Sequence, residues 1–290
     1  MILVTGGTGQ LAQMLAAEGG ARVTVVGRPA FDLDRPDSIA ETVQTHCPTL
    51  VVNAAAWTAV DAAEAEADAA ARANRDGPAT LAALCADLRI PLIHLSTDYV
   101  FDGTKGEPYI ETDRTAPTGV YGQTKLEGEQ AVLAACPQSV VLRTSWVYAS
   151  VGKNFVRTML GAAQKIDTLR VVADQRGCPT SARDLAVAVL GIADRIGAGW
   201  DPAYAGVFHA AGTGDTTWYG LAEALFDEAA RHGRTRPTVV PIQTVDWPTP
   251  ARRPADSRLD CTKLAAVYGV SLPPWQGSVQ RVVCDLLAHA

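Results

Sequence analysis

Ile2-Leu3-Val4-Thr5-Gly6-Gly7-Thr8-Gly9-Gln10-Leu11-Ala12-Gln13-Met14-Leu15 decides the fold. A short apolar run stops at a glycine-rich turn and helix-forming residues follow, which reads as strand, tight turn, helix. The glycines let the backbone turn sharply and approach a ligand, while free amides and the dipole at a helix N-terminus favour negative charge. The turn is therefore a candidate pyrophosphate cradle, with Gly6, Gly9, Gln10 and Leu11 facing the ligand. Arg22-Val23-Thr24-Val25-Val26 supplies a second buried-type strand and completes a strand–helix–strand unit.

Working outward, Gly27-Arg28 ends the second strand, and Asp32-Leu33-Asp34 follows. In a dinucleotide-binding unit this segment meets the adenosine end of the cofactor. Asp32 would accept hydrogen bonds from a ribose diol and suit NAD, whereas Arg28 would pair with a 2′-phosphate and suit NADP. Both signals stand side by side, so NADPH or NADH is expected, with NADPH slightly favoured.

Leu50-Val51-Val52-Asn53-Ala54-Ala55-Ala56 reads as a third strand running into a small-residue turn, where Ala54, Ala55 and Ala56 leave room for a flat ring or a diphosphate. Val60 to Leu88 is alanine-rich and predicts helix, with Asp61, Glu64, Glu66 and Asp68 as solvated surface charges. Pro91 to Leu95 is the fourth strand and ends in Ser96-Thr97-Asp98-Tyr99. Parallel-sheet enzymes place their chemistry outside the carboxyl ends of their strands, so Thr97 is a candidate hydroxyl for a substrate carbonyl. His94, inside the apolar run, reads as a core histidine.

Lys105 to Pro117 reads as a surface loop leading into Val120-Tyr121-Gly122-Gln123-Thr124-Lys125-Leu126-Glu127. Tyr121 and Lys125 stand four apart on a helix and so share a face. An ammonium beside a phenol favours the phenolate, which predicts a lowered Tyr121 pKa and a general acid for carbonyl reduction. Gln138 to Arg143 gives a fifth strand, and Trp146 beyond its end is a candidate platform for a ring.

The alternation then loosens. A helix is expected over Phe155 to Lys165, a strand over Thr168 to Ala173, a helix over Ser181 to Ile196, and a return to the sheet at Val207 to Ala210. Arg252, Arg253 and Arg258 lie in a proline-rich stretch that suits an anionic ligand such as a nucleotide diphosphate. The expected architecture is α/β: a Rossmann-type doubly wound parallel sheet with a smaller, interleaved C-terminal substrate domain. Residues 1–150 form the dinucleotide-binding domain, with later returns to the sheet near 168–210, and 151–290 mainly bind substrate.

Bulk properties narrow the partners. The 290 residues are 48% hydrophobic and carry a net charge of −6 without a basic run, which argues against nucleic acid and an anionic membrane surface. No segment approaches the ~20 apolar residues of a spanning helix, and no basic signal-peptide region opens the chain, so a cytoplasmic protein is expected. The six cysteines show no C-x-x-C spacing and read as structural or incidental thiols.

Gly6-Gly7-Thr8-Gly9-Gln10-Leu11, Asn53-Ala54-Ala55-Ala56, Ser96-Thr97-Asp98-Tyr99-Val100-Phe101-Asp102-Gly103, Val120-Tyr121-Gly122-Gln123-Thr124-Lys125 and Arg143-Thr144-Ser145-Trp146-Val147-Tyr148 together resemble the dTDP-4-dehydrorhamnose reductase family of extended short-chain dehydrogenase/reductases. Asp174 to Thr180 and Arg253 to Leu259 extend the resemblance into the second half. It implies hydride transfer from NADPH or NADH to C4 of a dTDP-4-keto-6-deoxyhexose, with Thr97, Tyr121 and Lys125 catalytic. Tyr121 would protonate the alkoxide oxygen, Lys125 would bind the nicotinamide ribose, and Thr97 would orient the carbonyl. Asp98, Tyr99 and Trp146 would line the sugar pocket, and Arg253 would lie near the nucleotide.

There are departures from the family pattern. Ala12 replaces the third glycine of the fingerprint. Where some relatives hold a dimer-bridging metal with glutamates, this chain has Met14 and Arg183, so no required metal and a monomer or weak homodimer are expected. Two alternatives stand beside the leading reading. One is a related dTDP-deoxysugar reductase such as a dTDP-L-dihydrostreptose synthase, and the other is a non-catalytic subunit like the reductase-like partner of methionine adenosyltransferase.

Overall fold

The computed structural model describes residues 1–288. The chain runs β1 (Ile2–Thr5), α1 (Gln10–Gly19), β2 (Val23–Val26), α2 (Pro36–His46) and β3 (Leu50–Asn53). Short helices α3 (Val60–Ala63) and α4 (Ala67–Ala71) precede a π-turn at Arg72–Asp76, α5 (Gly77–Asp87) and β4 (Leu92–Thr97). Next come α6 (Val120–Ala135), β5 (Ser139–Thr144), β6 (Val147–Tyr148), α7 (Phe155–Ala163), β7 (Thr168–Val172), β8 (Arg176–Gly177) and β9 (Thr180–Ser181). The remainder is α8 (Ala182–Ala198), β10 (Gly206–His209), β11 (Thr216–Thr217), α9 (Trp218–Arg231), β12 (Thr238–Ile242), α10 (Thr262–Tyr268) and α11 (Trp275–Ala288).

Six strands form one sheet in the order β10-β5-β4-β3-β1-β2, every neighbouring pair parallel. The apolar runs read from sequence are these strands; β1 and β3 are buried along their whole length. One face is packed by Leu11 and Leu15 of α1 and by Leu185, Val189 and Ile192 of α8. The other face carries Ile39 and Val43 of α2, Leu81 and Cys85 of α5, and Val132 of α6. This is the expected doubly wound sheet. Its winding direction reverses beside β1, which opens a crevice at the carboxyl ends of β1 and β3.

A third core lies away from the sheet, where Val156, Leu169, Leu221, Leu225, Phe226, Val239 and Val279 pack together. β7 pairs with β12 there, so the strand at 168–172 does not return to the large sheet; β10 does. The alanine-rich run also differs from expectation. It is broken at Glu64–Glu66, where Glu64 Oε1 accepts the Val120 amide at 2.8 Å and Asp61 holds the Ala251 amide, and it widens through the π-turn. Two acids read as solvated surface charges are thus tethers. Within the loop read as surface, Tyr109 is only 3% exposed, stacks on Phe101 and accepts the amides of Gly103 and Thr104.

Candidate active site

The Gly-rich turn is built as its sequence requires. Gly6 and Gly7 adopt φ of 112° and 52°, a region that side chains disfavour. The Gly9 amide closes the turn on Gly6 O at 2.8 Å. A Cβ at Gly6 would lie 2.9 Å from Ala54 O, and one at Gly27 would lie 2.6 Å from Gly7 Cα. Bare backbone therefore lines the entry of a cleft of about 870 Å³ at the N-terminus of α1. Its walls include Gly6, Gly9, Gln10, Leu11, Arg28, Asp32, Leu33, Ala54, Ala55 and Ala56. A bare cradle at a helix N-terminus, with a cation and a carboxylate at the far end, fits a dinucleotide.

The same cleft reaches Thr97, Asp98, Tyr99, Tyr121, Lys125 and Trp146. β4 delivers Thr97, whose hydroxyl accepts the Tyr99 amide at 3.2 Å and donates to Asp98 Oδ1 at 3.1 Å. The first turn of α6 delivers Tyr121, which meets Tyr99 edge to face with ring centroids 5.5 Å apart. One turn on, Lys125 is 2% exposed and donates from Nζ to Leu95 O at 2.6 Å. Asn74 in the π-turn donates to Thr124 Oγ1, and a Cβ at Gly128 would lie 2.0 Å from Asn74 O. Only a glycine lets α6 settle this closely and hold Tyr121 in the cleft.

Burial dominates the electrostatics. It pushes the Tyr121 phenol up to about 12, with the Thr97 hydroxyl opposing and the Asp98 charge adding. Burial brings the Lys125 ammonium down to about 8, against the attraction of Glu129. The expected lowering of Tyr121 by Lys125 is therefore reversed, because desolvating a phenolate costs more than its neighbours return. Asp98 is pushed up to about 6 by burial, opposed by nearby hydroxyls. His94 is held well below its usual value by burial and the Lys125 charge, and its Nδ1 meets Asn53 Nδ2 at 3.0 Å, so it is a neutral core residue.

Behind the cleft, Glu129 and Arg143 form a buried bidentate pair, with Arg143 Nε 2.9 Å from Oε1 and an Arg143 terminal nitrogen 2.7 Å from Oε2. Ser96 donates to the same Oε1 at 2.5 Å. Trp146 sits at φ 48° and stacks on Trp218 with centroids 3.6 Å apart. A Cβ at Gly177 would come within 2.5 Å of the Trp146 ring, so β8 also holds it in place.

Arg253 does not line the cleft. It pairs with Asp61 at 3.0 Å, and its charge reaches the Tyr99 phenol beyond. Arg258 is taken up by Asp256 and Gly106 O, so the arginines of the proline-rich stretch do not converge on one anion. Lys153, Trp218 and Thr144 line the cleft without having been singled out in the sequence. The Lys153 loop is docked by Asn154, which donates to Gln10 Oε1, a contact between distant residues that no local pattern announces.

Residues 1–288 match the family described as RmlD substrate binding domain. The chain is 47% identical over 288 residues to a dTDP-4-dehydrorhamnose reductase of Sinorhizobium fredii, covering 99% of this chain and 97% of that protein. The chain belongs to the dTDP-4-dehydrorhamnose reductase family. A reductase structure of this family from Clostridium acetobutylicum superposes with a TM-score of 0.90 at 36% identity, covering 99% of both chains. Another, from Bacillus anthracis in complex with NADP, gives 0.90 at 30% identity and covers 98% of both. At the positions noted above as departures from the family's metal ligands, Arg183 pairs with Glu18 of α1 at 2.7 Å. Among the described residues no helix is long and apolar enough to cross a membrane.

Proposed function

We propose that the protein reduces the C4 keto group of dTDP-4-dehydro-β-L-rhamnose to give dTDP-L-rhamnose, using NADPH or NADH. The observation that carries this reading is the convergence of Thr97, Tyr121 and Lys125 in the cleft that begins at the Gly-rich turn. A reduced nicotinamide bound there supplies the hydride that reaches C4. The chain supplies the rest. Thr97 donates to the carbonyl oxygen and holds it in line. Tyr121 gives its proton to that oxygen as charge develops, which completes the alcohol. Lys125, anchored on Leu95 O, binds the nicotinamide ribose.

Asp98, Tyr99 and the Trp146–Trp218 stack face the sugar, and Arg253 stands behind Tyr99 near the nucleotide. Arg28 and Asp32 compete to set cofactor preference. Residues 1–150 act chiefly as the dinucleotide-binding part and 151–290 chiefly as the substrate part. The protein works in the cytoplasm as a monomer or weak homodimer and requires no metal for hydride transfer.

The test is direct. The protein is incubated with dTDP-4-dehydro-β-L-rhamnose and neighbouring dTDP-keto sugars, with NADH and NADPH in turn, and the products are identified. Formation of dTDP-L-rhamnose as the fastest reaction supports the proposal. A faster reaction with another dTDP-keto sugar reassigns the substrate, and no turnover with any of them rejects the reductase.

A further inference from the structure

At the edge of the third core, far in sequence from the catalytic residues, the C-terminal end of α9 meets the last turns of α11. Glu228 and His232 stand four apart at that end of α9 and share one face. Cys284 comes across from α11. His232 Nε2 lies 3.2 Å from Glu228 Oε1 and 3.1 Å from Cys284 Sγ, and one donor atom from each residue falls within 4.8 Å of the others. None of the three lines the catalytic cleft.

The donor types, and the two spacings from His232, are close to those of a transition-metal site. A tetrahedral zinc ion holds imidazole nitrogen at about 2.0–2.1 Å, carboxylate oxygen at about 2.0–2.2 Å and thiolate sulfur at about 2.3 Å, which sets neighbouring donors roughly 3.3–3.6 Å apart. The two separations from His232 need to open by only a few tenths of an ångström. Glu228 is 8% exposed, and Arg231 takes its Oε2 at 2.8 Å, leaving Oε1 turned toward His232. A shallow cavity lined by His232, Gly233, Arg234, Cys284 and Leu287 opens on the cluster and has room for a water as fourth ligand. Magnesium and calcium prefer all-oxygen shells, whereas sulfur with imidazole suits zinc. A thiolate and a carboxylate also neutralise a divalent ion.

We propose that Glu228, His232 and Cys284 bind a zinc ion that clasps the end of α9 to α11, a structural site separate from the catalytic cleft. Binding displaces the thiol proton from Cys284, so affinity rises with pH.

The probe is cobalt(II), added to the full, untagged chain after chelation and reduction with a phosphine. The expected result is one bound ion with tetrahedral ligand-field bands and a thiolate-to-cobalt charge-transfer band, all displaced by zinc. Cys284→Ser should abolish the charge-transfer band, and His232→Ala should weaken binding by about tenfold or more. Cys47→Ser, which removes an exposed thiol elsewhere, should change nothing. Zinc should raise the melting temperature of the parent and leave that of Cys284→Ser where it was. Far-ultraviolet circular dichroism of each variant establishes that it is folded; if Cys284→Ser unfolds, Glu228→Gln and His232→Ala carry the same comparison. No binding, a spectrum without the thiolate band, or a band that survives Cys284→Ser would overturn the site.

Discussion

Tyr121 shows why a pKa expectation drawn from spacing alone can have the wrong sign and leave the chemistry intact. A phenol pushed up to about 12 stays protonated at neutral pH, which is the form a reductase needs at the moment an alkoxide appears. Tyr121→Phe removes that proton and should lower kcat by about 10²–10⁴-fold, the usual contribution of a positioned acid, with little change in KM. Steady-state oxidation of NADPH with the keto sugar measures both constants, and a variant with full kcat would remove Tyr121 from the mechanism. Lys125 makes a separate prediction. With its ammonium brought down to about 8, the Lys125 charge proposed to hold the nicotinamide ribose is lost as pH rises through that value, so kcat should fall there with a single-proton slope. Folding stability moves the other way in this window. The unfolded chain holds a proton that the folded one has released, so between about 8 and the ordinary lysine value this group makes stability rise with pH. A pH profile of kcat set against urea midpoints at the same pH values separates the two.

At the scale of elements, what could be read from the sequence was whatever a local pattern encodes. β1 to β5, the Gly-rich turn, α6 and the return at β10 each announce themselves by an apolar run, glycine chemistry or helical spacing, and sixteen of the seventeen candidate site residues line one cleft, Arg253 being the exception. What was illegible depends on partners far away in sequence. The π-turn and the break after α3 lie in an alanine-rich run whose propensity is helical up to Gly77-Pro78; Glu64 caps α6 and Asp61 holds the Ala251 loop, and neither contact leaves a local trace. The alternation of β7 likewise says strand without saying which sheet.

The Glu129–Arg143 pair is the element-level contact whose loss should matter most. It ties α6 to β5 with side chains only 2% and 4% exposed. Glu129→Gln leaves a buried guanidinium without its countercharge and should cost about 3–5 kcal/mol, read as a drop in the urea midpoint. Because Glu129 also supports the Lys125 charge, the same variant should move the basic limb of the rate profile to lower pH. A variant with an unchanged midpoint would show that the pair is not a stabilising tie.

For the molecule as a whole, the question is whether the division near residue 150 separates two folding units. β1 to β5 precede it, yet the sheet is completed by β10, whose Phe208 is fully buried, and one face is covered by α8, where Leu185, Val189, Leu190 and Ile192 meet Ile2, Val4, Leu11 and Leu15. A fragment of residues 1–150 would keep α2, α5 and α6 on one face while exposing much of the other, together with a bare β5 edge. Exposed strand edges and apolar faces of this kind drive association. The fragment should therefore show helical circular dichroism without a cooperative urea transition, bind a hydrophobic dye and precipitate as its concentration rises. The full chain should unfold cooperatively under the same conditions. A soluble, monomeric fragment with a sharp transition would mean that residues 1–150 fold alone, and that α8 and β10 dock onto a finished domain. The opposite outcome makes the chain a single folding unit, with the cleft, walled mainly by residues before 150 and completed by Lys153, Leu185 and Trp218, assembled only when the whole chain has closed.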